Sequence, residues 1–312
     1  MNTNSIKGRV LASSGGLYTV LTENNEYIKC KPRGRFRNDN MKVLVGDYVV
    51  VLFDESDNPC IETIEVRRNS LIRPSLANLD ALFTVVAAAR PTPSMLTLDK
   101  LISIADHLGI EPIVVVTKSD LEEKDADMLE QTYRKCGFTV FSCSSVTGKG
   151  VEQILDYIKA NCADKTIAFA GASGVGKSTL INHLFPSVLL ETGTVAEKTG
   201  RGRHTTRAVS LFRLSELLSD SSLSGFLADT PGFSMLDFSA FDFYRLEDLP
   251  MAFREFRDLI GCCRYQKCTH LKEDGCAIVE AVKDGCIPVS RHESYVDLYQ
   301  TLKSKPSWQK KE

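Results

Sequence analysis

The stretch Gly171-Ala172-Ser173-Gly174-Val175-Gly176-Lys177-Ser178-Thr179 matches the pattern G-x-x-x-x-G-K-[ST]. The chemistry this spacing serves is phosphate binding. Glycines let the backbone curl until several N–H groups face one anion. A helix opening at Lys177 adds the partial positive charge of its N-terminus. Lys177 is then in reach of the outer phosphates, and the Ser178 hydroxyl is placed to bind Mg²⁺. The apolar run Thr166–Ala170 before the loop and the helical pattern through Leu184 after it supply the strand and helix the motif needs. The loop alone does not separate ATP from GTP.

A second polar turn bears on the base. Val114-Val115-Val116 runs into Thr117-Lys118-Ser119-Asp120. The Asp120 carboxylate can accept from the N1–H and the 2-amino group of guanine. Adenine has neither donor, and a buried carboxylate left unpaired rejects it. The Lys118 stem can lie along the purine face. The stretch resembles the N-K-x-D motif of GTPases with Thr117 at the Asn position. One hydroxyl in place of an amide predicts a looser brace to the phosphate loop, while guanine selection rests on Asp120. Its place at the C-terminal end of a strand is where α/β sheets bind nucleotides. Phe141–Gly148 also ends a strand and resembles the S-A-K loop, with Ser144 and Ser145 at the Ser and Ala positions and a backbone N–H for the guanine carbonyl.

Asp229-Thr230-Pro231-Gly232 matches D-x-x-G. Asp229 is expected to hold Mg²⁺ through water, and the Gly232 N–H to meet the γ-phosphate. In the basic loop Arg201–Arg207 a threonine is expected to ligand Mg²⁺ only when triphosphate is bound. Thr206, directly before Arg207, is favoured, with Thr205 as the alternative. Contact with RNA is a second, compatible use of this loop. Phe233 follows Gly232 where many GTPases place a water-orienting Gln. A phenyl ring cannot orient water, so unassisted hydrolysis is expected to be slow. His204 is the candidate catalytic group; a structural or RNA-contacting role is its alternative.

Cys263-x₄-Cys268-x-His270-x₅-Cys276 offers three thiolates and one imidazole. That set closes a tetrahedron around structural zinc and leaves no position open for catalysis. On spacing alone Cys262 can replace Cys263. Near the other end of the chain, Lys29, Lys31, Arg33, Arg35 and Arg37 alternate, with Phe36 beside them. Such a stripe neutralises RNA phosphates, and the aromatic ring can stack on a base.

These residues need elements to hold them, and the chain has 312 residues, enough for two or three domains. Residues 1–69 read as five short strands broken by Gly, Asn and Asp, a small β-barrel of the OB type. Residues 70–235 alternate apolar strands with helical patterns, the mark of an α/β domain with a mostly parallel sheet. Residues 236–312 carry helical periodicity, the Cys/His cluster and a charged tail. The expected fold is therefore multi-domain: an OB-like barrel, a central α/β P-loop domain and a mostly helical zinc-binding domain. Hydrophobic residues at 43% and charged residues at 25% are ordinary for a soluble protein. A net charge of −2 excludes a polycation, so any nucleic-acid contact must be local. No apolar run reaches membrane-spanning length, and the polar start lacks a secretory h-region. A cytoplasmic monomer without membrane contact is expected. Ten cysteines, half scattered and half clustered with a histidine, point to thiols and a metal site rather than disulfides.

The order of the motifs is unusual. The base-reading turns at 117–146 precede the phosphate motifs at 171–232, a circular permutation of the conventional GTPase order. Termini of compact domains often lie close together, so a permutation can keep the fold. The segment after Asp229–Gly232 then leads straight into the C-terminal part. On these permuted motifs, Gly34–Arg37, Val45-Gly46-Asp47, Gly202–Thr206 and the cysteine cluster, the chain resembles the ribosome small-subunit-dependent GTPase A family (RsgA, also called YjeQ or YloQ). The resemblance covers essentially the whole chain. It implies a cytoplasmic GTP hydrolase using GTP/GDP, Mg²⁺ and one structural Zn²⁺. It also implies binding to the small ribosomal subunit and its 16S rRNA late in maturation, with hydrolysis stimulated by the subunit and driving release. The family pattern favours Cys263 over Cys262. Two other readings are a nucleic-acid assembly protein with nucleotide as a static ligand, and a P-loop kinase or ATPase.

Overall fold

The computed structural model describes residues 5–34, 36, 41–71, 74–187, 209–229 and 245–304. Among them, residues within Met1–Ala81, Tyr157–Phe169 and Phe185–Phe233 form one compact unit. Those within Leu82–Asp156, Ala170–Leu184 and Ser234–Glu312 form a second. Each unit takes segments from the central 70–235 stretch.

The first unit holds the barrel. Its strands are β1 (Ser5–Ser14), β2 (Leu17–Thr22), β3 (Tyr27–Pro32), β4 (Tyr48–Phe53) and β5 (Pro59–Ile64). They pair in the order β1-β2-β3-β5-β4, and β4 returns to β1, so no edge is left open. The β3–β5 pair is parallel and the others are antiparallel. Alternation along each strand sends Val10, Val20, Val49, Val51 and Ile61 inward to one core. A register shift between Val10 and Ala12 breaks the β1–β2 ladder, and beyond it Ala12 pairs with Ser210 of β12 (Ser210–Arg213). The short strands β6 (Ser70–Leu71) and β7 (Leu76–Ala77) pair antiparallel with each other. β12 pairs antiparallel with β13 (Phe226–Asp229), and β13 runs parallel to β11 (Thr166–Gly171).

Two motifs of the barrel turn out to be structural. Gly46 has φ +91°, and a Cβ there would lie 2.1 Å from the Ala77 carbonyl. Asp47 is fully buried. Its carboxylate accepts from the Leu44 N–H at 2.7 Å and from the Arg67 fork at 2.7 and 2.9 Å. The Val-Gly-Asp sequence is thus a turn with a buried ion pair. Phe36, expected to stack on a base, instead packs in the barrel core at 4% exposure. The apolar ring is better placed there than in water.

Arg9 was not foreseen. It is 94% buried, from a relative exposure of 6%, with its guanidinium 4.8 Å from the Tyr48 ring and 4.7 Å from the Phe226 ring. It donates to the Thr166 hydroxyl at 2.5 Å. One side chain on β1 therefore ties the barrel to β11 and β13.

The second unit holds β8 (Ala81–Ala87) from Leu82 on, β9 (Glu111–Thr117) and β10 (Thr139–Ser142), in the order β10-β9-β8. β8 is buried at every position, and β9 at every position but its first. This is why both read as continuous apolar runs rather than alternating ones. Helices α1 (Met95–His107), α2 (Glu123–Lys135), α3 (Val151–Asn161) and α4 (Lys177–Leu184) follow the expected patterns. Ser94 caps α1, its hydroxyl accepting from the Thr97 N–H. The C-terminal part opens with two 3-10 segments, Leu246–Ala252 and Arg254–Leu259, rather than α-helix. Pro250 inside the first removes a backbone donor and favours the tighter turn. Helices α5 (Ala277–Lys283) and α6 (Val289–Ser304) follow. Among the described residues no helix is long and apolar enough to cross a membrane.

Candidate nucleotide and metal sites

The phosphate loop joins β11 to α4 as the sequence predicts. Gly174 and Gly176 have φ +79° and +91°, the left-handed region that glycine enters without penalty. A Cβ on Gly171 would lie 2.3 Å from the Val85 carbonyl, so only glycine lets β8 come this close. Such glycines permit the curled backbone that phosphate binding needs. The Lys177 ammonium lies 3.4 Å from the Gly171 carbonyl, over the loop, and burial holds its pKa below the ordinary value. Ser178 and Thr179 are exposed, as are Ser173 and Gly174; Val175 is buried, and Ala172 is half-buried.

The base-reading turn is fastened to this loop. The buried Thr117 hydroxyl lies 2.5 Å from the Val175 carbonyl and 3.2 Å from that of Val86. The looser brace expected of threonine is therefore not what the packing produces: a short side chain reaches the loop because β9 brings it directly alongside. Lys118, at φ +57°, points its ammonium to the Gly174 carbonyl at 2.8 Å and to the Arg90 carbonyl. Ser119 is buried and donates its N–H to Cys143 O at 3.2 Å, joining this turn to the next one.

Asp120 is exposed, not buried. The burial expected of this carboxylate is therefore not found in the protein without a base. Ser144 is fully buried, and its hydroxyl accepts from the Val146 and Thr147 N–H groups at 3.3 and 3.2 Å. It shapes the turn, and Ser145 next to it is half-buried. Gly150 completes the turn, since a Cβ there would meet the Ser142 carbonyl at 2.1 Å.

Asp229 ends β13, half-buried, paired in register with Ser210 of β12. His204, Thr205, Thr206, Gly232 and Phe233 lie outside the described residues, as do Arg35 and Arg37. Lys29 and Lys31 are exposed on alternate positions of β3. Arg33 is exposed too, and its Nε lies 2.6 Å from Glu62, which offsets part of its charge.

Cys263, Cys268, His270 and Cys276 bring one ligand atom each to within 4.8 Å of one another. The His270 Nδ1 lies 3.5 Å from the sulfurs of Cys263 and Cys276, and those sulfurs are 3.8 Å apart. Tetrahedral zinc, with bonds of about 2.3 Å to sulfur and 2.0–2.1 Å to nitrogen, requires edges of about 3.8 and 3.5 Å. The set fits. Cys262 is exposed, with its sulfur 3.9 Å from the Asp258 carbonyl. All ten cysteines are free thiols. Burial pushes Cys143 and Cys136 up to about 12, which keeps them inert.

The loop around the cluster is braced by groups the sequence reading missed. Glu273 accepts from the Thr269, Leu271 and Lys272 N–H groups at 2.8, 2.9 and 3.1 Å. Desolvation raises its pKa, but these donors outweigh it and bring the carboxyl down to about 2. His292 Nε2 donates to the His270 carbonyl at 2.7 Å, and the Tyr295 hydroxyl to that of Thr269 at 2.8 Å. A motif search sees ligands but not the carbonyls and N–H groups that hold their loop.

Comparisons with known proteins agree with this geometry. The model of the RsgA GTPase family matches residues 64–239, and that of the RsgA N-terminal domain matches residues 7–61. A Caldanaerobacter subterraneus protein named small ribosomal subunit biogenesis GTPase RsgA is 40% identical over 302 residues, 96% of this chain and 97% of the relative. The Bacillus subtilis protein of that name is 36% identical over 307 residues, 96% and 98% of the two chains. The crystal structure of YjeQ from Thermotoga maritima superposes with a TM-score of 0.79 at 31% identity, covering 97% of this chain and all of that one. The crystal structure of YloQ, described as a circularly permuted GTPase, gives 0.74 at 32% identity over 97% of each chain. With the base turn before the phosphate loop, an OB-like barrel ahead of both and a Cys/His cluster behind, the chain belongs to the RsgA GTPase family and is a circularly permuted GTP hydrolase.

Proposed function

We propose that this GTPase acts in biogenesis of the small ribosomal subunit, and that the subunit stimulates hydrolysis, which in turn drives release. The observation that carries the reading is the direct brace between the base turn and the phosphate loop, through Thr117 and Lys118. It holds base and phosphate recognition as one piece, although the permutation reverses their order in the chain. The names of the relatives supply the subunit.

In this reading the protein works as a cytoplasmic monomer in three parts, 1–69, 70–235 and 236–312. Asp120 and the backbone at Ser144–Ser145 read guanine. Gly171–Thr179 holds the phosphates. Ser178, Thr206 and Asp229 hold Mg²⁺, which neutralises charge on the phosphates. Thr205 is the alternative to Thr206, and Gly232 senses the γ-phosphate. Phe233 leaves the attacking water without an orienting amide, so His204 or a group from the subunit supplies it. Lys29, Lys31, Arg33, Arg35 and Arg37 contact 16S rRNA. Cys263, Cys268, His270 and Cys276 hold one structural zinc. Loss of the γ-phosphate loosens the segment after Gly232, which leads into the zinc-bearing part.

The test is GTP turnover measured alone, with purified small subunits and with large subunits. Small subunits are expected to raise turnover by about a hundredfold or more, the scale of an added charge-stabilising group, and large subunits to have no effect. Equal turnover in all three would exclude the stimulated switch and favour nucleotide as a static ligand.

A further inference from the structure

We propose that Thr117 is a positioning residue for the phosphate loop and leaves N7 of the bound guanine unread, so that the protein accepts guanine nucleotides altered at N7. This rests on the reading of Thr117–Asp120 as the base turn.

Guanine presents distinct edges. Its N1–H and 2-amino group are donors and suit a carboxylate. N7 is an acceptor and needs a donor. Threonine has one hydroxyl proton, whereas the amide of asparagine has two N–H donors. The Thr117 hydroxyl faces two backbone carbonyls, Val175 at 2.5 Å and Val86 at 3.2 Å. Thr117 is 2% exposed, Val175 4% and Val86 5%. Turning the proton toward N7 would take it from the buried Val175 carbonyl, the nearer acceptor at 2.5 Å, and an unmade buried hydrogen bond costs more than an exchanged one returns. The proton therefore stays on the loop.

Lys118 strengthens the division of labour. Its ammonium is held by the Gly174 and Arg90 carbonyls. Two consecutive side chains thus grip the phosphate loop, at Val175 and Gly174. Among the side chains of the turn, base selection falls to Asp120, which accepts and cannot donate when ionised. The specificity is directed at the N1 and 2-amino edge and blind at N7.

The experiment compares GDP with 7-deaza-GDP, which has carbon at position 7, by equilibrium binding to the full chain. For the unaltered protein the two dissociation constants should agree within about twofold, since no hydrogen bond is lost. Thr117→Asn, which adds a donor, should open a preference for GDP of up to about tenfold. A preference of that size in the unaltered protein would overturn the proposal. The positioning role has its own readout. Thr117→Val keeps the shape without the hydroxyl and should weaken GDP and 7-deaza-GDP by the same factor, with Thr117→Ser restoring both. Unchanged affinities in Thr117→Val would overturn that role. Asp120→Asn separates the underlying reading. It should shift preference from GDP to XDP, and retained guanine preference would mean that this turn does not read the base at all.

Discussion

Gly171 illustrates how strictly one position can be fixed. The Val85 carbonyl sits where a methyl group would go, 2.3 Å from an added Cβ. Neither backbone can yield without disturbing β8 or the loop itself. Gly171→Ala is therefore expected to lower nucleotide affinity by about tenfold or more. Binding of a fluorescent GDP analogue measures this, with far-ultraviolet circular dichroism as the control for folding. Near-wild-type affinity would show that the loop accommodates a methyl group. The sequence announced this glycine through its motif, but not the reason for it, which is a neighbour 86 positions away, from 171 − 85.

At the scale of elements, the C-terminal part is anchored on α1 by buried charge. Arg291 is fully buried, with Asp99 of α1 at 2.7 Å and Glu255 at 2.6 and 3.1 Å. The Tyr133 hydroxyl donates to the same Asp99 oxygen at 2.7 Å. Arg254 meets Asp106 at 2.7 Å and Glu111 at 3.1 Å, and Arg257 also meets Asp106. Arg291→Met leaves two carboxylates facing each other without a cation in a dry core. Removing one partner of a buried pair costs about 3–5 kcal/mol, so thermal unfolding of this unit should begin well below that of the unaltered protein. The triple change Arg291→Met, Asp99→Leu, Glu255→Leu should recover much of the loss, because no orphan charge remains. If the single variant melts normally, the triad is not an anchor. Strands and helices of the central part were legible from apolar runs and periodicity, whereas the 3-10 segments Leu246–Ala252 and Arg254–Leu259 were not. This anchor was not legible either, since an Arg in a mostly polar helix reads as a solvated position.

Across the whole molecule, the Cys/His cluster lies beside the ring cluster of Phe253, Phe256 and Tyr295, whose centroids are 5.0 to 5.4 Å apart. Tyr295 links the two by donating to the Thr269 carbonyl. Metal removal frees three thiolates and an imidazole to repel or protonate, and the loop loses its closure. Chelation should abolish the near-ultraviolet signal of these rings and reduce helix content from α5 and α6, with recovery on adding zinc. A C-terminal part that keeps its spectrum without metal would refute a structural zinc.

Chain order by itself determined which motifs are present: a phosphate loop, a Thr-Lys-Ser-Asp turn and a Cys/His set of soft ligands are each local, and local spacing writes them out. It also determined the alternation of elements and the permuted order. Tertiary structure decided what the side chains touch. It moved Phe36 from a supposed RNA face into the barrel core and placed Asp120 at the surface. It made Val-Gly-Asp a buried turn and gave Arg9 and Arg291 their partners. It aimed the Thr117 hydroxyl at the phosphate loop. Each of these depends on which strand lies beside which. Contacts between residues far apart in the chain follow from packing, and the type of a residue says only which partners it accepts, not which one arrives.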